Sequence, residues 1–431
     1  MKKARLVIIA IMVVAVLGVG VAALAVGSDT TDPTTFANAS AVYYGDATVK
    51  LTAYDDADGK GISYMYYRID KHATQLVEVE GAPVHTVTLP APETGSTQYR
   101  LRYWSQDGAG NVEDINSLNV TVKAGTLTPP STMLTRIQGT NRYETAVAAS
   151  KAGFSSASAV VIARGDLFAD ALGGAALAGA VDGPLLLTSS TSVPESAIAE
   201  IKRLGATKVY ILGSEGAISA KVFDQLKTAA GSAERLGGTN RYDTAQLVAR
   251  KTIELLGASY DGSAFLATGS DFPDALGAAP VSYAKGMPVV LAAPDGSYTL
   301  PAGVTKVYIL GGTSVVPESV QRTLGSAYAG RLAGATRYAT AVAIAKFGVG
   351  EGMSWNGCGV ASGVDPADAL SGGPLLGAKN TVLLLTTPTT LAAETGSAIA
   401  ENTDLIREVR FLGGTGAVSD DCLAAIGGLF Q

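Results

Sequence analysis

The sequence is poor in histidine and in charged residues. Only two of its 431 residues are histidine and 16% are charged. Both histidines, His72 and His85, precede the long C-terminal part of the chain, so no Ser-His or Cys-His pair can form within that part. Zinc sites lack their usual ligands there for the same reason. We expect no metal and no cofactor.

An excess of positive charge is also missing. The chain has 32 Lys and Arg against 38 Asp and Glu, which gives a formal charge of −6. A protein that tracks nucleic-acid phosphates is expected to carry a basic patch or stripe. The sequence therefore predicts no nucleic-acid partner.

Cysteine is too scarce for a disulfide framework. Cys358 and Cys422 are the only two. One disulfide between them is conceivable outside the cytoplasm, and two buried thiols are the alternative. Hydrophobic residues are plentiful at 47%, which supplies several cores and argues against global disorder.

The N-terminus has the pattern of an export segment. Lys2, Lys3 and Arg5 precede an uncharged apolar run that ends near Gly27, with a small-x-small site at Ala23-Leu24-Ala25. Residues 1–27 are therefore predicted to be a cleaved signal peptide. The run is also about long enough for a membrane anchor, which needs roughly 20 residues. In either case the rest of the chain is exported, and membrane contact is expected only through this segment if it is uncleaved.

A region of alternating residues follows. Between residues 38 and 124, short runs of period two are separated by turn residues, which predicts a β-sandwich of about seven strands. Its stretch from Tyr103 to Glu113 resembles the final hairpin of immunoglobulin-like domains on bacterial surface proteins. Residues 125–132, with Pro129-Pro130, are predicted to be a linker.

One motif occurs three times in the remaining sequence. It starts at Arg136, Arg235 and Arg331 and reads Arg-(Ile/Leu)-x-Gly-x-(Asn/Thr)-Arg-Tyr-x-Thr-Ala. Its second arginines stand at positions 142, 241 and 337, so the steps are 99 and 96 residues. Such steps are too long for a solenoid repeat and suit a small domain used three times.

The three copies share one pattern of elements. Each has a strand with the first arginine, a helix, and then apolar strands that alternate with helices, the helix after the second apolar strand being amphipathic. Strands that are apolar throughout predict a parallel sheet covered on both faces. We therefore expect three-layer α/β repeats at residues 133–231, 232–328 and 329–431, packed around an approximate threefold axis.

Local signals also recur. Asn141, Asn240 and Thr336 are predicted N-caps of the helix that follows each motif. An Asp returns in register in the turn after the first long strand of each copy, at Asp170, Asp274 and Asp368.

These residues carry a family resemblance. The triplicated arginine motif, the Asp-Ala-Leu turn and the Tyr-Ile-Leu-Gly strand resemble the type-2 cell-wall-binding repeat of Gram-positive bacteria, over roughly residues 133–431. The resemblance implies Toprim-like repeats in a pseudo-threefold trimer. It also implies an exported protein, held non-covalently at the cell surface by an anionic secondary wall polymer.

Candidate binding residues follow from the motif. An Arg can hold a phosphate or carboxylate with two hydrogen bonds while an adjacent Tyr stacks on a sugar. The alternative is that each Arg pairs with the recurrent Asp and holds the repeats together. The polymer-binding candidates are Arg142, Tyr143, Arg241, Tyr242, Arg337, Tyr338, Arg136, Arg235 and Arg331, with Asp170, Asp274 and Asp368 as structural or secondary candidates.

Two other functions stay open at this point. One is a secreted hydrolase or phosphotransferase that uses the Asp turns, although such metal chemistry needs several carboxylates at one point. The other is an adhesin or spacer in which the β-sandwich does the binding. Within the favoured function, the third site is expected to be the weakest, because Ala339 replaces the acid beside the N-cap.

Overall fold

The computed structural model describes residues 31–39, 42–44, 46–55, 61–70, 76–124, 132–168 and 170–430. The export segment of residues 1–27, His72 and all of the 125–132 linker except Thr132 lie outside the described residues. The described residues divide into two compact units. One lies within residues 1–36, 51–86 and 100–118, and the other within 37–50, 87–99 and 119–431.

The N-terminal region is made of strands, as predicted. A three-stranded sheet has the order β1-β3-β6, and a five-stranded sheet has the order β2-β8-β7-β4-β5. Buried and exposed residues alternate along β3, which fits a sheet with one covered face. The eight strands are β1 (Thr34–Asn38), β2 (Val42–Tyr44), β3 (Ala47–Tyr54), β4 (Ile62–Asp70), β5 (Val77–Glu80), β6 (Val84–Leu89), β7 (Ser96–Asp107) and β8 (Asn116–Lys123).

The three repeats are α/β and each contains a four-stranded parallel sheet, which confirms the predicted fold class. The first repeat consists of β9 (Met133–Ile137), α1 (Arg142–Gly153), β10 (Ala159–Arg164), α2 (Gly174–Ala180), β11 (Leu185–Thr188), α3 (Glu195–Leu204), β12 (Lys208–Leu212) and α4 (Ala220–Ala230). The strands β10 and β11 are almost wholly buried, as expected for a sheet covered on both faces.

Apart from a small-residue helix that is split in two in the second repeat, the second and third repeats follow the same order with one exception. The second repeat consists of β13 (Ser232–Leu236), α5 (Arg241–Leu256), β14 (Ser263–Thr268), α6 (Pro273–Leu276), α7 (Ala279–Lys285), β15 (Val289–Ala292), β16 (Lys306–Leu310) and α8 (Glu318–Leu324). The third consists of β17 (Tyr328–Leu332), α9 (Arg337–Gly350), β18 (Ser354–Ser362), α10 (Ala367–Ala378), β19 (Thr381–Thr386), α11 (Ala393–Ala400), β20 (Glu408–Leu412) and α12 (Asp420–Gly427).

The exception is the segment between β15 and β16, where an amphipathic helix was expected and no helix forms. Gly296 and Gly303 adopt positive φ there, at 81° and 92°, and Pro294 and Pro301 interrupt the segment as well. These residues prevent a continuous helix.

The strand that carries the first arginine pairs with the preceding repeat. β13 completes the sheet β11-β10-β12-β13, and β17 completes β15-β14-β16-β17. The first repeat has no preceding copy, and its strand β9 completes the third repeat's sheet, β19-β18-β20-β9. The strand that carries the first arginine therefore lies in the sheet of another copy. At each junction one repeat contributes a strand to the sheet of its neighbour, and these three exchanges close the repeats into a ring.

The ring is also packed at its centre. The small-residue helices α2, α7 and α10, one from each repeat, contact one another. A Cβ on Gly179 would clash with the backbone of Tyr283, and one on Gly373 would clash with Ala279. Small residues are required here because the helix backbones approach closely. These mutual contacts confirm the pseudo-threefold arrangement.

Candidate functional site at the repeat junctions

The first arginine of each motif holds its strand to the neighbouring repeat. Arg235 Nη1 donates to the carbonyl oxygens of Gly213 and Ser214 at 3.0 and 3.1 Å. Arg331 Nη1 donates to Gly311 O at 2.7 Å. Burial lowers the pKa of both guanidinium groups, because it disfavours the charged form. These half-buried arginines act between repeats.

Arg136 plays the same part where the ring closes. Its Nη1 donates to Gly413 O at 3.2 Å and to Val418 O at 2.7 Å. Its Nη2 forms an ion pair with Asp420 at 2.9 Å. Arg136 therefore binds the third repeat through three acceptors.

The second arginine of each motif begins a helix and reaches back to a turn of its own repeat. Arg142, Arg241 and Arg337 are the first residues of α1, α5 and α9. Their Nη1 atoms donate to the carbonyl oxygens of Gly165, Gly269 and Gly363 at 2.7, 2.7 and 2.6 Å. One nitrogen of each guanidinium is thus fixed by a turn of its own repeat.

The remaining contacts of these arginines differ between copies. Arg142 Nη2 pairs with Asp365 of the third repeat at 3.0 Å. Arg241 lies over the ring of Phe168 of the first repeat, 5.6 Å from its centroid. For Arg337, no carboxylate within 4.0 Å and no ring contact is found among the described residues.

The adjacent tyrosines are partly occupied by the fold. A Cβ on Gly165, the turn glycine of the first repeat, would clash with the ring of Tyr143. Tyr242 and Tyr338 stand in the same relation to their own turn glycines. All three tyrosines are half-buried, so only part of each ring is open to a ligand.

A threonine in the motif has a role that sequence reasoning missed. The hydroxyl oxygens of Thr145, Thr244 and Thr340 accept the backbone N–H of the motif glycine, Gly139, Gly238 or Gly334, at 3.1 Å in every copy. All three threonines are buried. The presence of a threonine at the same place in all three motifs was the sequence signal that could have indicated this role.

The predicted helix caps are confirmed. Asn141, Asn240 and Thr336 each accept a backbone N–H of the first helical turn. In the third copy the Thr336 hydroxyl also donates to Glu394 Oε1 at 2.5 Å. This hydrogen bond lowers the pKa of Glu394. An acid from another helix therefore stands beside the cap where Ala339 supplies none.

The recurrent aspartates pack against the glycine that ends the last strand of their own repeat. A Cβ on Gly213, Gly311 or Gly413 would clash with Asp170, Asp274 or Asp368 respectively. These glycines also have φ of 102°, 93° and 98°, which favours glycine independently. Among the described residues no arginine pairs with these aspartates, since the partners are Asp365 and Asp420. The alternative in which each Arg pairs with the recurrent Asp is therefore not realised among these residues.

Asp368 is the most unusual of the three. Its Oδ1 is shielded from solvent and has no hydrogen-bond partner among the residues that the structure describes. Burial, together with the nearby charge of Asp365, raises the pKa of Asp368 to about 6, although Arg142 and Thr145 lower it. The carboxyl group is therefore costly to ionise in the folded chain.

A cleft of about 270 Å³ lies between the first and third repeats. Its polar lining includes Arg142 and Asp365 together with a second ion pair, Arg164 with Asp166. Leu167 and Val364 line it as exposed apolar side chains. Ligand pockets usually measure roughly 300 to 1,000 Å³, so this cleft suits a group of sugar size.

Both cysteines are buried free thiols. Burial raises the pKa of Cys358 to about 12. The disulfide alternative is therefore not realised in this structure.

The described histidine lies outside the repeats. His85 stacks on Tyr67, 5.2 Å between ring centroids, away from the repeats in sequence. Within the described part of the chain, no cluster of three potential metal ligands occurs, and no helix has the length and apolar character needed to cross a membrane.

Comparison with known proteins identifies the repeats. Residues 136–223, 235–321 and 331–423 match the family described as cell wall binding domain 2 (CWB2). N-acetylmuramoyl-L-alanine amidase LytC of Bacillus subtilis (strain 168) is 30% identical over 290 residues, which are 66% of this chain and 56% of that protein. The amidase enhancer of the same organism is 29% identical over 287 residues, or 66% of this chain and 39% of that protein. The chain thus spans about half of the first relative's length and less of the second's.

Two solved structures share the fold. Cwp6 from Clostridium difficile has a TM-score of 0.62 at 20% identity, covering 92% of this chain and 68% of its own. Cwp8 from Clostridium difficile has a TM-score of 0.60 at 17% identity, covering 93% and 80%. The family match extends over most of the chain, in three copies that coincide with the three repeats of the ring. The chain belongs to the cell wall binding domain 2 family.

Proposed function

We propose that this cell-wall-binding chain is exported and held on the outside of the cell by an anionic wall polymer, which contacts the arginines at the repeat junctions. The observation that carries the proposal is the geometry of Arg142, Arg241 and Arg337. Each is anchored by one hydrogen bond to a turn glycine, and Arg142 and Arg241 also contact a neighbouring repeat. A guanidinium held in this way can bind a phosphate or carboxylate at a small entropic cost.

Local sites must supply the affinity, because the repeats have no general positive field. From residue 131 onward there are 22 Lys and Arg against 25 Asp and Glu. The three arginines also lie at helix N-termini, where unpaired N–H groups favour an anion. Weak sites on one ring reinforce each other on a repetitive polymer through effective concentration.

The other parts of the chain have supporting roles in this proposal. Residues 1–27 serve as signal peptide or anchor, residues 38–124 form an immunoglobulin-like spacer, residues 125–132 link it to the ring, and 133–231, 232–328 and 329–431 are the repeats. Catalysis is not part of the proposal, although relatives carry amidase names. Support comes from the absence of histidine after His85 in the sequence.

Sedimentation with purified Gram-positive walls tests the proposal. The full chain should co-sediment with intact walls and be released by salt, which screens the contacts. Walls stripped of phosphate-linked polymers with cold hydrofluoric acid should retain it poorly. A triple variant with Arg142, Arg241 and Arg337 each changed to Gln should stay in the supernatant.

A matched control carries the same change of charge. Lys227, Arg250 and Lys379 are exposed, one in each repeat, and pair with no carboxylate among the described residues. The triple Gln variant at these positions should bind as the parent does. Equal retention of both triple variants would overturn the arginine-based proposal, and undiminished binding to stripped walls would overturn a phosphate-linked polymer as the ligand.

A further inference from the structure

The three junctions have the same backbone plan but different side chains. The turn that follows the first long strand has a glycine at Gly165, Gly269 and Gly363, and two residues later it has Leu167, Asp271 and Asp365. At this position the first repeat lacks the acid that the other two possess, since its own turn acid, Asp166, stands one residue earlier and pairs with Arg164. This position matters because Arg142 and Arg241 each contact the turn of another copy.

At the junction of the first and third repeats, Arg142 is paired with a carboxylate of the other repeat. Arg142 Nη2 lies 3.0 Å from Asp365 Oδ2, and both side chains are only partly exposed, at 36% and 48%. Asp365 is itself held by the backbone N–H of Ala367, which donates to its Oδ1 at 3.0 Å. An acidic ligand must compete with this carboxylate for Arg142.

At the junction of the second and first repeats, Arg241 has no carboxylate partner among the described residues. Leu167 stands where an acid would be, and Arg241 lies instead over the face of Phe168. Phe168 also contacts Phe272 edge-on, 4.9 Å between centroids. The ring orients Arg241 without neutralising it, because a cation–π contact brings no opposite charge.

At the junction of the third and second repeats the arginine is the least engaged. Arg337 donates to Gly363 O, and within the described part of the chain it has no carboxylate partner. Asp271, the acid of the second repeat's turn, instead accepts the N–H of Phe272 at 2.9 Å. Glu394 is engaged by the hydroxyl of Thr336.

From these three junctions we infer that the repeats are unequal: Arg241 and Arg337 hold the acidic groups of the polymer, whereas Arg142 fastens the first repeat to the third through Asp365. The inference rests on the proposed function. It reverses the expectation that the third site is the weakest. Each available arginine gains a charged hydrogen bond from the polymer, while Arg142 first has to give one up.

Single substitutions in the full chain, measured by binding to purified Gram-positive walls that retain the parent, test this directly. Arg241→Gln and Arg337→Gln should each weaken binding about fivefold, the value of an exposed charged contact of about 1 kcal/mol. Arg142→Gln should change binding less than twofold. Its thermal midpoint should fall more than that of Arg337→Gln, because it breaks an inter-repeat ion pair.

Removing the competing acid gives a sharper test. Asp365→Asn should tighten binding about threefold by releasing Arg142, and adding Arg142→Gln should cancel that gain. Asp271→Asn makes the same change of charge but releases no paired arginine, so its gain should be smaller.

The outcomes separate this inference from the proposed function. If the three single Arg→Gln variants weaken binding equally, or if Asp365→Asn gains no more than Asp271→Asn, the repeats are equivalent and the inference is wrong. If the triple Arg→Gln variant binds as the parent does, the proposed function fails at the arginines, whatever the single variants show.

Discussion

Arg136 donates a hydrogen bond to the carbonyl oxygen of Val418 at 2.7 Å, joining residues 282 positions apart. The contact closes the ring, since no peptide links the third repeat back to the first. The two other junctions have a covalent connection as well as their strand pairing. The junction of the first and third repeats is therefore held by noncovalent contacts alone.

Replacing Arg136 should destabilise the ring at this junction. Arg136→Met keeps most of the side-chain volume but removes donors to Gly413, Val418 and Asp420, so we expect a loss of about 2 to 3 kcal/mol in the free energy of unfolding. Urea denaturation measures it. Asp420→Asn, at a carboxylate that is 77% exposed, should cost less than about 1 kcal/mol. Equal effects from both would show that the buried carbonyl contacts contribute little.

The motif threonine should matter for stability in every repeat. Thr145→Val removes the oxygen that accepts the N–H of Gly139 and should cost about 1 to 3 kcal/mol, because that donor loses its partner. Thr145→Ser keeps the oxygen and should recover much of the loss. The same pair of changes at Thr244 and Thr340 should repeat the result in denaturant titrations. A valine variant as stable as the serine variant would contradict this role.

The centre of the ring should not tolerate a larger residue. Gly179→Ala places a methyl group against the backbone of Tyr283, and overpacking of this kind typically costs about 1 to 3 kcal/mol. Differential scanning calorimetry should show a lowered midpoint. Gly216→Ala is the control, because its Cβ would meet only Ser214 Oγ at 3.7 Å. An unchanged midpoint for Gly179→Ala would mean that the helices separate easily.

Asp368 should make stability depend on pH. Its folded pKa of about 6 lies above the usual value of 3.8, so the folded chain binds the proton more tightly than the unfolded chain does. Its contribution is therefore full below about pH 4 and is lost as the pH rises through about 6, by up to about 3 kcal/mol. Asp368→Asn should flatten the urea midpoint between pH 4 and 7, whereas Asp421→Asn, at an exposed site, should not. A parent midpoint that rises over this interval with no change in Asp368→Asn would refute it.

The two thiols should be unreactive in the folded chain. Cys358 and Cys422 are buried, and the raised pKa of Cys358 keeps that residue protonated at neutral pH. Iodoacetamide should modify neither cysteine in buffer and both in 6 M guanidinium, as counted by mass spectrometry. A disulfide-linked peptide in the nonreduced digest would contradict the structure.

The sequence determined the local features of this protein. Asn141 and Asn240 were predictable caps because their partners are two or three residues away, and the apolar strands β10 and β11 marked a covered parallel sheet. The triplication itself was visible in the motif. These signals survive in the sequence because short-range geometry alone sets them.

Tertiary structure decided how identical patterns are joined. The residues of β9 do not predict its pairing with β20 of the third repeat, because its own copy contains strands of the same kind. Likewise, the second arginine of the motif meets Asp365 at one junction and Phe168 at another, and at the third it meets no acid within the described part of the chain. These partners are set by the closure of the ring, which brings together residues that are far apart in the sequence, and no local rule specifies such contacts.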